Sequence, residues 1–158
     1  MIPGKIIHFF DRANVGLAGT RDRNLVPHGH SVCGWALAPD ARTLTVFVPE
    51  GGRKHLIESL EDNGQIALTI EQYPEHEAYQ FKGRYIRHRP AEKGDAEIAE
   101  RIRERFVQSV LAFVGERAGP SLRAFVQVPA LAIDFEVREL FVQTPGPGAG
   151  ARLVGGEG

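Results

Sequence analysis

Thr43 to Ile70, TLTVFVPEGGRKHLIESLEDNGQIALTI, is the stretch on which the reading of this chain turns. From Thr43 to Val48, Leu44, Val46 and Val48 alternate with Thr43, Thr45 and Phe47, the period of two that marks a half-buried strand. Pro49 ends it, and Glu50-Gly51-Gly52 is free to bend. Arg53-Lys54 then opens a segment whose Leu56, Ile57 and Leu60 fall at helical spacing. Asn63-Gly64 closes that helix, and Ile66, Leu68 and Ile70 alternate with Ala67 and Thr69, so a second strand follows at once.

The first turn of this short helix carries the chemistry. A helix N-terminus leaves backbone N–H groups unpaired and is the positive end of the helix dipole. Two glycines and two adjacent cations, Arg53 and Lys54, converge there, which suits a phosphate monoester. A solvated surface loop has the same composition, so the turn by itself leaves both readings open.

The order strand, Arg-Lys turn, short helix ending in Asn-Gly, strand, then Tyr79-Gln80-Phe81-Lys82-Gly83, resembles the FMN-binding split-barrel family, which includes the pyridoxamine 5'-phosphate oxidases. The resemblance covers roughly residues 1 to 90. It implies a mainly β fold, an antiparallel split β-barrel with flanking helices, assembled as a homodimer with FMN where two barrels meet. On the family pattern Arg53 and Lys54 hold the flavin phosphate, and Phe47 and Val48 touch the cofactor. His30 stands where the family carries an arginine, and Gln80 matches a family glutamine at a different offset from the glycine. The oxidases also have a C-terminal tryptophan followed by Arg-Leu-x-Pro. Here the one tryptophan is Trp35, and Arg152-Leu153 is followed by Val154-Gly155, which argues against pyridoxamine 5'-phosphate as substrate.

The activity implied is an FMN-dependent oxidoreductase that moves hydride or electrons between the flavin and a small molecule, the isoalloxazine supplying the chemistry. No acid–base dyad stands out in the sequence. A deazaflavin would use a similar barrel. The alternative is a non-catalytic flavin- or haem-binding carrier or sensor, motivated by His28 and His30, which share a face if their segment is a strand. With no third ligand in evidence, no metal site is assigned.

Bulk properties narrow the classes. At 158 residues, 42% hydrophobic and 25% charged, the chain is about one domain long. A formal net charge of −1 gives no basic surplus for a nucleic-acid backbone. The lone Cys33 excludes an intramolecular disulfide and a cysteine-based zinc site, and suits a reducing cytoplasm. MIPGKIIHFF is too short an apolar run for a signal peptide, and no stretch reaches membrane-spanning length, so a cytoplasmic protein without a membrane partner is expected.

Around the central stretch, residues 1 to 12 read as a short helix. Val15 to Ala18 and Leu25 to His30 form a hairpin about the polar turn Gly19 to Asn24, and Ser31 to Ala38 is a strand. Ala78 to Arg87 is a further strand, rich in Lys82, Arg84 and Arg87, whose Gly83 signals a bulge or close approach. Asp95 is the expected N-cap of a long helix. Its apolar face is Ile98, Ile102, Phe106, Val110 and Val114 with Val107, Leu111 and Phe113, and Glu97, Glu100, Arg101, Arg103, Glu104 and Arg105 lie opposite. Gly115 and Gly119-Pro120 end it, and Pro129 to Gln143 is the last strand. Residues 1–144 form one domain, and 145–158 a Gly/Pro-rich tail unable to build a regular element. The resemblance makes Gln143 to Gly150 a lid over a neighbouring subunit's flavin. The tail and long helix also admit a third reading, a partner-recruiting domain.

Overall fold

A computed structural model describes residues 1–51, 53–124 and 126–155. Helix α1 (Gly4–Phe10) leads into the hairpin β1 (Val15–Arg21) and β2 (Pro27–Ser31), then β3 (Gly34–Leu37), β4 (Thr43–Val48), α2 (Arg53–Asn63), β5 (Gln65–Gln72) and β6 (Glu77–Pro90). The long α3 (Lys93–Val114), one 3₁₀ turn (Glu116–Ala118) and the short α4 (Gly119–Ala124) precede β7 (Leu131–Val142) and β8 (Arg152–Val154). All pairings are antiparallel, in the order β2-β1-β5-β6-β7-β4-β3, with β8 added on β7. The result is a half-barrel with β2 and β3 at its two ends, flanked, among the described residues, by four helices.

The alternation of the central stretch dictates its core. Leu44, Val46, Val48, Ile66, Leu68 and Ile70 are all buried and join Phe81, Ile133, Phe135 and Leu140 in one cluster, sealed at one end by Ile6 and Phe9 of α1. Truncating a fully buried phenylalanine such as Phe81 or Phe135 to alanine costs about 3–5 kcal/mol. Leu56, Ser59 and Leu60 supply the buried stripe of α2, and Gly64, at φ 65°, turns the chain straight into β5.

Two glycines let backbones approach. A β-carbon on Gly83 would stand 2.1 Å from the Glu136 carbonyl oxygen, and β6 changes register on β7 between Lys82 and Gly83, the bulge the sequence predicts. A β-carbon on Gly34 would lie 3.1 Å from the Ala99 Cα, so α3 packs directly on β3.

Four details differ from the sequence reading. Glu92, not Asp95, is the N-cap of α3; Asp95 is the third residue of a reciprocal capping box and is also gripped by Arg89 at 2.5 and 3.0 Å. The buried face of α3 is Ala99, Ile102, Val107 and Leu111, while Phe113 is 76% exposed, because the stripe drifts around a helix of this length. Gly119-Pro120 begins α4 instead of ending structure, since proline is tolerated in a helix's first turn. The tail is not irregular throughout: Arg152–Val154 pairs with Leu140 and Phe141, continuing the edge of β7 that β4 covers from Leu131 to Glu136. Gly156 to Gly158 lie outside the described residues. Among those described, no helix is long and apolar enough to cross a membrane.

Candidate functional site

Two features meet along the segment His28 to Trp35. The first is a row of imidazoles beneath the start of α2. Thr20 opposes His28 and Ala18 opposes His30 in the β1–β2 register, so both histidines lie on one face of the sheet, where His28 meets His55 of α2. His30 is buried, with Nε2 3.0 Å from the Thr20 hydroxyl. His55, in the first turn of α2, stacks on His28 with ring centroids 5.8 Å apart and planes within 6°, and His28 lies 6.5 Å from His30. Burial first, and then the neighbouring His28 and His55, push the His30 pKa below its ordinary 6.5, so this ring is neutral at neutral pH. The Asp22 carboxylate sits 3.7 Å from His28 Nε2. It accepts the N–H groups of Val26 and Asn24, which hold its pKa below the usual carboxylate value.

Arg53 and Lys54 stand beside His55 on the same helical turn. Both are exposed: Arg53 reaches Glu50 at 2.6 Å, and Lys54 lies 3.8 Å from Glu58. Their partners are surface carboxylates, and exposed pairs of this kind contribute only about 0–1 kcal/mol, so an incoming anion displaces them at small cost. The sequence placed the cation pair but not the His28–His55 stack, because nothing in periodicity shows that α2 folds back over β2.

The second feature is a cavity of about 420 Å³ between the half-barrel and α3. Val32, Cys33 and Trp35 form one wall, and Ile102, Phe106 and Val107 the other. The volume and apolar lining are those of a small-molecule pocket. Arg103 lines it too, although the sequence assigned this residue to the solvated face of its helix. Glu100 takes Arg103 Nε and Nη2 at 2.8 and 2.6 Å, leaving Nη1 buried without a partner. Trp35 Nε1 is likewise buried and unpaired. Both donors belong to residues that line the cavity, and each lacks the acceptor that a buried N–H requires. Burial pushes the Cys33 thiol up to about 11, so it is not a nucleophile at neutral pH. His30 and Val32 are two residues apart, at most roughly 7 Å of chain, so one segment carries both the imidazole row and a wall of the cavity.

The remaining sequence candidates fall elsewhere. Phe47 and Val48 are buried and do not line this cavity. Phe47 packs by Gly34 under α3, Val48 lies in the core, and their carbonyls accept Cys33 N–H at 2.7 Å and Ala130 N–H at 2.9 Å. Gln80 donates to the Thr69 hydroxyl at 3.1 Å. It belongs to the row Gln80–Thr69–Leu17–Ser31, whereas His30 belongs to the next row, Phe81–Leu68–Ala18–His30. Adjacent rows face opposite sides of a sheet, so one chain does not bring Gln80 and His30 together. Among the described residues, no group of three or more His, Cys, Asp or Glu is arranged to hold a metal ion.

No family model matches the chain, and no curated protein does. Solved structures share its fold. The HupZ protein of Group A Streptococcus is similar over 95% of this chain and 100% of its own, at 17% identity and a TM-score of 0.56. A pyridoxamine 5'-phosphate oxidase-related, FMN-binding protein of Nostoc punctiforme covers 92% and 85% at 11% identity and a TM-score of 0.50. An FMN-binding protein from Syntrophomonas wolfei covers 84% and 78% at 9% identity, also with a TM-score of 0.50. The fold is therefore the antiparallel split barrel of the pyridoxamine 5'-phosphate oxidase-like proteins.

Proposed function

We propose that this chain binds FMN, with the phosphate at the first turn of α2 and the isoalloxazine in the cavity beside Val32, Cys33 and Trp35, and that it serves as an oxidoreductase for a small molecule. What supports this is a cationic helix start whose His55 stacks on His28, together with an apolar cavity that begins at Val32 on the same segment and whose lining residues Trp35 and Arg103 each carry an unmet donor, on a barrel shared with proteins described as binding FMN. Arg53 and Lys54 neutralise the phosphate, and His55 on His28 offers N–H donors beside it. Trp35 Nε1 and Arg103 Nη1 meet ring acceptors, and Ile102 and Phe106 exclude water from the ring. FMN would supply the hydride or electron transfer itself.

A homodimer belongs to the same proposal: Gln80 projects from the face opposite His30, so a second copy must supply it to any site that uses both. Titration of the ligand-free protein with FMN tests the reading through quenching of flavin fluorescence. The double variant Arg53→Ala, Lys54→Ala weakens FMN binding by about 10-fold or more and leaves riboflavin, which lacks the phosphate, unaffected. A wild-type protein that gives no saturable quenching at low salt refutes it. Sedimentation at the same concentrations tests the dimer.

The row of three imidazoles supports a second reading, a haem carrier. It predicts a Soret band on hemin titration that is lost in His28→Ala or His30→Ala.

A further inference from the structure

A second cavity, of about 490 Å³, shares Trp35 and Ile102 with the first and opens between α1, the end of β3 and α3. Ile7, Phe10, Leu37 and Ile98 give it apolar walls, and Arg101, Arg105 and Asp11 are its charged groups. Arg105 is fixed in place: Nη2 donates to the carbonyl of Phe10, the last residue of α1, at 3.4 Å and to that of Ala13, in the loop after it, at 3.1 Å. Its Nε is buried with no partner, as is Nε1 of Trp35, a residue only 3% exposed.

A buried donor without an acceptor costs about 1–3 kcal/mol, and native interiors leave few of them. Here one such donor, Nε of Arg105, belongs to a residue that lines the apolar space, and the two arginines outnumber the single carboxylate of Asp11. A ligand that brings acceptor oxygens with negative charge satisfies the first condition and the second together. The apolar walls require the rest of that ligand to be hydrocarbon-like.

We propose that this cleft is a binding site for a small organic carboxylate with an apolar body, its carboxylate held by Arg105 and Arg101 and its tail lying along Ile7, Leu37 and Ile98. The carboxylate is assigned to Arg101 and Arg105, which the flavin reading does not use, so the proposal stands if that reading fails.

Trp35 is the one tryptophan in the chain and lines both cavities, so its emission reports on either, and the arginine variants tell the two apart. The intact protein is titrated with decanoate and, separately, with decanol, which carries the same tail without the charge. Decanoate gives a saturable change in emission and binds about 10-fold more tightly than decanol. Arg101→Gln and Arg105→Gln each weaken decanoate by about 5-fold or more, and Arg103→Gln, which lines the other cavity, does not. Equal binding of the two probes, no saturable change, or a loss in Arg103→Gln with none in Arg101→Gln overturns the proposal. Should circular dichroism show that Arg105→Gln does not fold, Arg101→Gln and the decanoate-to-decanol ratio decide.

Discussion

Gly83 offers the sharpest test of how the half-barrel is held. An alanine there places a β-carbon 2.1 Å from the Glu136 carbonyl oxygen and 2.8 Å from the Phe135 ring. Real β-carbons essentially never come closer than 3.0 Å, so β6 and β7 must part by about 0.9 Å at that point. Neither neighbour yields easily: Glu136 pairs with Arg84 across the two strands, and Phe135 is fully buried in the core. Overpacking of this kind costs about 1–3 kcal/mol, which for a chain of this length lowers the melting temperature by about 2–12 °C. Gly94, in the first turn of α3, is the control. A β-carbon there meets nothing within 4 Å, and Gly94→Ala is expected to stabilise by about 0.5 kcal/mol through helix propensity. Urea unfolding of the two variants beside the wild type gives both signs in one experiment. A Gly83→Ala loss under about 0.5 kcal/mol would show that the strand contact is not the constraint described.

The titrating groups make three further predictions. Burial depresses the His30 pKa, so its unfolded form takes up a proton that the folded form resists; the stability tied to it is complete above the ordinary 6.5 and falls as pH drops below. His30→Gln should flatten the change in urea midpoint between about pH 7.5 and 5.5, and an unchanged slope would exclude this role. Asp95 is depressed chiefly by its hydrogen bonds from Arg89, so its contribution is present above the ordinary 3.8 and lost in stronger acid. Asp95→Asn should lower the melting point at neutral pH and narrow the gap to wild type below about pH 4, where thermal scans would read it. With its thiol near 11, Cys33 should react with iodoacetamide about 100-fold more slowly than free cysteine, and labelling at the free rate, read by mass spectrometry, would contradict its burial.

Much of this architecture is readable in the chain because single residues decide it. The Leu44–Val46–Val48 and Ile66–Leu68–Ile70 rows are core, Gly64 turns α2 into β5, and Gly83 marks the bulge. Those signals are local, which is why they survive without a structure. The site is less legible. Arg53, Lys54 and His30 can be picked out as residue types, yet the stacking of His55 on His28 depends on where α2 settles. Which side of the sheet Gln80 faces depends on register across four strands. Arg103 and Arg105 look like solvent-facing charges in the helical pattern, since their long stems allow either placement. Their burial follows from α3 lying against β3, a contact that Gly34 permits and that no helical period reports. Strand β8 left no signal because its three residues, in a run of four between Gly150 and Gly155, acquire an extended form only by pairing with β7.

That last pairing has a practical outcome for anyone shortening the polypeptide. From Leu131 to Glu136, β7 is shielded by β4, and only the returning C-terminal ribbon screens the stretch around Leu140 and Phe141. Cutting the chain after Pro147 would strip that ribbon away and leave open amides and carbonyls next to buried leucine and half-buried phenylalanine side chains. Such a bare margin is an invitation to intermolecular zippering, so the trimmed protein should polymerise or precipitate even though its core residues are untouched.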